Sequence, residues 1–231
     1  MTLAQQGTIH PSGSLGVVKI PKGKSEYSLR DIIKYGLPQR GLSKEVNRWR
    51  WRNLPNLWRG VRRVIVARLF NISHYYGSVF LTVTREDGTV EHLGLASMRV
   101  VTTVGVGFIV DAFQNSVELE DMKYHGFGTG TTAEAVGDTD IETEFTTEYA
   151  ADNTRPTGTT TEGGSANVYR TVATFSPDSG GTLAVTEHGI LSQAANSGGV
   201  LLDRSVFSAV NVVGGSDSIQ STYDLTIPAG S

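Results

Sequence analysis

Four segments in the last third of the chain, Val168 to Phe175, Leu183 to Leu191, Val200 to Val213 and Ser218 to Ile227, alternate apolar with polar residues. Glycine-rich connections at 177–181, 196–199 and 214–217 separate them. A period of two buries one face of a strand and wets the other, and short flexible connections let consecutive strands fold back on one another. This pattern predicts an antiparallel β-sandwich or barrel for that region. The chain has 231 residues and no cysteine, which excludes a disulfide scaffold, cysteine-held zinc or iron–sulfur clusters and thiol nucleophiles.

Upstream, Tyr75 to Val83 and Thr89 to Leu95 flank Arg85-Glu86-Asp87-Gly88, and Asp-Gly supplies the backbone freedom of a tight hairpin turn. Val100 to Phe113 fits a helix interrupted by Gly105 and Gly107, with Thr102 or Thr103 as cap; a strand is the alternative. Met122 to Gly128 reads as a strand leading into a Thr/Gly/Asp/Glu-rich stretch. A further strand is expected near Ile141 to Tyr149, and a flexible section from Asp152 to Gly164.

The N-terminal part reads differently. Residues 1–24, broken by Gly7, Pro11, Gly13, Gly16, Pro21 and Gly23, are too punctuated for a regular element and read as an extended arm or a disordered terminus. Residues 16–20 could pair as a short strand on another surface. A short helix is expected within 25–36, capped by Ser28 and stopped at Gly36. Residues 48–70 hold every tryptophan of the chain. Arg48-Trp49-Arg50-Trp51-Arg52 alternates, so an extended strand would put both indoles on one face, and Val64 to Phe70 reads as a buried strand. The expected division is a basic arm and anchor over 1–63 and a β body over 64–231.

The near-neutral net charge of −3 hides a split. Residues 1–100 carry sixteen Lys/Arg and six Asp/Glu (+10), and residues 101–231 carry four and seventeen (−13). Arg48, Trp49, Arg50, Trp51, Arg52, Trp58, Arg59, Arg62 and Arg63 have the composition of a nucleic-acid surface and equally that of a protein–protein hot spot. The acidic second half would be repelled by nucleic acid and attracted to a basic surface on a neighbouring copy, which favours a protein interface.

No catalytic motif survives inspection. The five histidines are dispersed; His125 and His188 could face each other across a sheet, though hydrogen bonding to a turn is the expected role. The carboxylates Glu118, Glu120, Asp121, Glu134, Asp138, Asp140, Glu142 and Glu144 read as a solvated acidic face. Gly126-Phe127-Gly128-Thr129-Gly130 lacks the lysine of a phosphate loop and reads as a turn leaving a strand. No run of eighteen apolar residues and no signal-peptide stretch occurs, so use or assembly in the cytoplasm is expected.

Several strings carry a resemblance: RVVTTVG at 99–105, KYHGFGTGTTAEAVGDTDIETE at 123–144, TEHGILS at 186–192 and GGVLLDRSVFSAVNVVGGSDSIQSTYDLTI at 198–227. Together they resemble a widespread group of tailed-bacteriophage virion structural proteins. The resemblance implies a β-rich protein, and with the reading of the residues the expected fold is mainly β, an antiparallel, jelly-roll-like β-sandwich body with one or two short helices and an extended N-terminal arm. The resemblance also implies a non-enzymatic capsid cement or decoration protein without cofactor or metal, or alternatively a tail, baseplate or host-surface adaptor. Partners would be the major capsid protein or copies of itself in a homo-oligomer such as a trimer, with neither nucleic acid nor membrane. A nucleic-acid binder and a glycan hydrolase are the readings from other classes.

Overall fold

The computed structural model describes residues 29–70, 75–163 and 165–227. The arm over 1–24, the short pairing segment at 16–20 and the capping Ser28 lie outside the described residues. The remainder is mainly β, in two antiparallel sheets packed face to face.

The first sheet runs in the order β2 (Val90–Val100), β1 (Tyr76–Thr84), β8 (Ser218–Thr226), β5 (Val168–Phe175) and β4 (Thr159–Glu162). The second runs β3 (Tyr124–Gly128), β6 (Thr182–Leu191) and β7 (Leu201–Val213). The β1–β2 hairpin turns where expected. Gly88 takes φ +77°, and the Asp87 carboxylate accepts from the Thr89 amide at 2.8 Å. Alternate residues of both sheets, including Val79, Leu81, Phe127, Phe175, Val185, Phe207 and Tyr223, meet in one interior cluster.

Two short-range expectations hold. Helix α1 (Leu29–Gly36) buries Ile32 and Tyr35, and α3 (Thr103–Phe113) is capped by Thr102, whose hydroxyl accepts from the Gly105 amide at 3.0 Å. The expected strands at 48–52 and 64–70 are corrected: both belong to one 26-residue helix, α2 (Lys44–Leu69), opened by the Ser43 hydroxyl accepting from the Val46 amide. Its inward residues are Val46, Trp49, Arg50, Asn53, Leu57, Gly60, Val61 and Val64. That spacing of threes and fours is helical, and the Arg-Trp alternation is local coincidence. The helical content therefore exceeds one or two short helices, and the line between residues 63 and 64 falls inside α2.

The strand expected over Ile141 to Tyr149 is also corrected. This segment is irregular and held by isolated bridges from Gly128 to Glu144 and from Tyr149 to Pro177. Residues 152–164, expected to be flexible, contain the end of a short helix, α4 (Ala150–Asn153), and all of β4.

Candidate interaction surface

Edge strands leave backbone groups without partners, and α2 supplies partners at two edges. On β2, Arg50 Nε donates to the Leu93 carbonyl at 2.8 Å, and Asn53 Nδ2 to the Ala96 carbonyl at 2.7 Å. On β7, the Trp49 indole N–H donates to the Ser208 carbonyl at 2.8 Å, and the Ser208 amide donates to Asn53 Oδ1 at 2.9 Å. Helix α2 thus bridges the two sheets along one open side of the sandwich. Leu57, Val61 and Val64 add apolar contact with Tyr76, Phe80, Leu95 and Met98.

These inward bonds decide what faces outward. Trp51 and Trp58, seven residues apart, are 64% and 60% exposed. Arg48, Arg52 and Arg62 are exposed around them, and Val66 and Leu69 continue the stripe toward the helix end. The nine residues expected to form one surface are therefore divided. Trp49 and Arg50 are internal, and burial lowers the Arg50 guanidinium to about 10 while it donates to the carbonyls of Leu93 and Leu37. Arg59 and Arg63 are half-buried, Arg59 pairing with Glu134 at 3.3 Å. Arg48, Trp51, Arg52, Trp58 and Arg62 remain on the surface.

The acidic stretch, read as a solvated face, is corrected in part. Glu134 is buried against Arg99, 2.5 Å from its Nε. Glu144 takes two charge-assisted bonds from Arg155, at 2.6 and 2.7 Å. Arg204 reaches Glu187 at 2.8 Å, Glu142 at 2.8 Å and Asp138 at 3.1 Å. The arginines of the acidic half are internal clamps, so the sequence charge overstates what this half shows to solvent in both signs. Glu118, Glu120, Asp140 and Glu142 stay exposed.

The glycine-rich loop after β3 already holds an anion, the protein's own Glu187. One carboxylate oxygen accepts from the amides of Gly130 at 2.8 Å and Thr143 at 2.7 Å, and the other from the Glu142 amide at 3.1 Å. A Cβ on Gly130 would come within 2.5 Å of that carboxylate, so the glycine is required by close approach.

His125 and His188 do face each other, with His125 Nδ1 3.0 Å from His188 Nε2. Their remaining contacts correct the turn expectation. His125 lies 2.7 Å from Ser221 Oγ and 3.1 Å from Thr171 Oγ1, both on the opposing sheet. Burial pushes His188 down to about 3, and burial together with the neighbouring ring holds His125 well below the ordinary imidazole range. The pair is a neutral strut between the sheets. Sequence reasoning missed Asp203, fully buried with one oxygen lacking a hydrogen-bond partner, beside Tyr223 and Gly77. Burial raises its carboxyl to about 7. Its alternation partner on β7, Arg204, was the available signal.

Among the described residues no group of three or more His, Cys, Asp or Glu is placed to hold a metal ion, and no helix is long and apolar enough to cross a membrane. The chain matches no protein-family model and no curated protein sequence.

Proposed function

We propose that the chain is a non-enzymatic structural protein of a tailed-bacteriophage virion, a cement or decoration protein that stabilises the shell through contacts between subunits. The class rests on the motif resemblance over residues 99–228. The mode of action rests on one observation, the outer face of α2. Two largely exposed tryptophans there, framed by Arg48, Arg52 and Arg62, have the make-up of a protein contact before its partner arrives.

The residues that carry the resemblance support a structural role. His125, Asp138, Glu142, Glu187, His188 and Arg204 come from three separate motifs and meet in struts and clamps that join loops to sheets. Such a body holds its surface rigid, so that binding does not have to order it first.

Quantitative protein composition of purified particles tests the reading. A copy number comparable to that of the major shell subunit is expected. Absence from the particles would overturn it, and a low copy number matching the tail would overturn the cement role while keeping the virion.

A further inference from the structure

Helix α3 is apolar on nearly every side. Its eleven residues include one charged side chain, Asp111. Phe108 and Ile109 face the body, whereas Val106, Val110 and Phe113, at the spacing that aligns residues along one stripe, are 41%, 49% and 81% exposed. Leu119, in the 3-10 turn Leu119–Asp121 that follows, and Val136 are also about half exposed, at 47% and 51%. Val136 adjoins the start of the helix, its carbonyl accepting from the Thr103 amide at 2.7 Å. A helix apolar all round is normally covered, and a rimmed apolar patch marks a contact.

The segment that forms most of this patch, residues 103–121, carries one sign of charge. Asp111, Glu118 and Glu120 are exposed, and among the described residues none has a cationic partner. The outer face of α2 is its counterpart. It pairs apolar Trp51, Trp58, Val66 and Leu69 with Arg48, Arg52 and Arg62, which have no carboxylate partner among the described residues. The two surfaces are neighbours, since Arg59 of α2 pairs with Glu134, two residues before Val136.

We propose that the basic aromatic face of α2 docks on the acidic apolar face of α3 and the Leu119–Asp121 turn in a second copy of the chain. This rests on the assembly reading above and names its partner. The occupant follows from complementarity: each face offers the apolar area and the charge sign that the other lacks. In a dimer closed by a two-fold axis the contact is reciprocal, so α2 on α3 and α3 on α2 engage at once. At about 1.5 Å per residue α2 is roughly 39 Å long and α3 roughly 16 Å, so one α3 covers part of the stripe.

The full chain is examined by sedimentation across concentration, at low and high salt, beside two exposed-residue variants. One carries Arg48→Glu, Arg52→Glu and Arg62→Glu; the other carries Asp111→Lys, Glu118→Lys and Glu120→Lys. The native chain is expected to self-associate, more weakly at high salt. Each variant alone should lose roughly a hundredfold in association, and an equimolar mixture should recover it as a heterodimer. Circular dichroism and melting, unchanged at these exposed positions, keep the result about contact rather than folding. A strictly monomeric native chain, a variant that associates like it, or a mixture without rescue overturns the proposal. The virion reading fails separately, through absence from particles.

Discussion

Trp49 and Trp51 sit two residues apart in α2 and end in opposite environments. The Trp49 indole, 4% exposed, donates to the Ser208 carbonyl at an edge of the second sheet, while Trp51 is 64% exposed. At 3.6 residues per turn a two-step separation places side chains on nearly opposite faces. The same residue type therefore serves folding at one position and contact at the other.

Trp49→Ala should destabilise the fold by about 3–5 kcal/mol, from a lost aromatic and an edge carbonyl left without its donor. Trp51→Ala should change stability by less than about 0.5 kcal/mol and weaken self-association instead. Urea midpoints and sedimentation, measured on both variants, separate the two. Equal losses of stability would refute the assignment of faces.

Glycine to alanine usually helps a helix by about 0.5–1 kcal/mol. At Gly60 the sign should reverse, because a Cβ would lie 1.7 Å from the Met98 carbonyl oxygen on β2, a backbone atom that cannot rotate away. A loss of about 1–3 kcal/mol or more is expected. At Gly107 in α3 nothing lies within 4 Å of the added Cβ, so Gly107→Ala should raise the melting temperature. Two thermal melts decide both claims.

Arg204→Met leaves the fully buried Glu187 without its cation, and should cost about 3–5 kcal/mol. Adding Glu187→Gln removes the stranded charge, so the double variant should be more stable than Arg204→Met alone. A double variant less stable than the single one would mean that the amide contacts from Gly130 and Thr143, rather than the charge pair, dominate this corner.

Three buried groups give opposed pH dependences. His188 is held at about 3 and His125 well below 6.5, so the unfolded chain binds more protons as pH falls from 6.5. The contribution of each ring is complete above about pH 6.5 and fades as pH falls, that of His188 down to about pH 3, at up to roughly 1.4 kcal/mol per pH unit for each ring. Asp203, raised to about 7 from 3.8, works the other way: its contribution is complete below 3.8 and fades as pH rises to 7. Asp203→Asn should therefore raise stability at neutral pH and steepen the fall between pH 6 and 4. Denaturation curves across that range that keep the native slope would contradict this.

The strands β5 to β8 were legible because a strand's alternation is written in adjacent residues and its glycine-rich ends are local. Helix α2 was misread for a physical reason. Its buried stripe includes Arg50, Asn53 and Gly60, residues that an apolar periodicity does not count. They face inward because Arg50 and Asn53 complete the backbone of β2, 43 residues further along, and because Gly60 lets that strand approach. The acidic stretch was misread similarly, since nothing local tells that Arg204 will arrive to neutralise Asp138, Glu142 and Glu187.

By itself the sequence determined the β class, the hairpin, the clustering of tryptophan with arginine and the opposed charge of the two halves, all properties of composition and short-range period. Only the tertiary structure decided which tryptophans face out, which carboxylates are consumed inside and where the uncovered apolar helix lies. Those outcomes depend on backbone groups at sheet edges and on buried charges, whose partners come from distant parts of the chain and become neighbours only when the two sheets close.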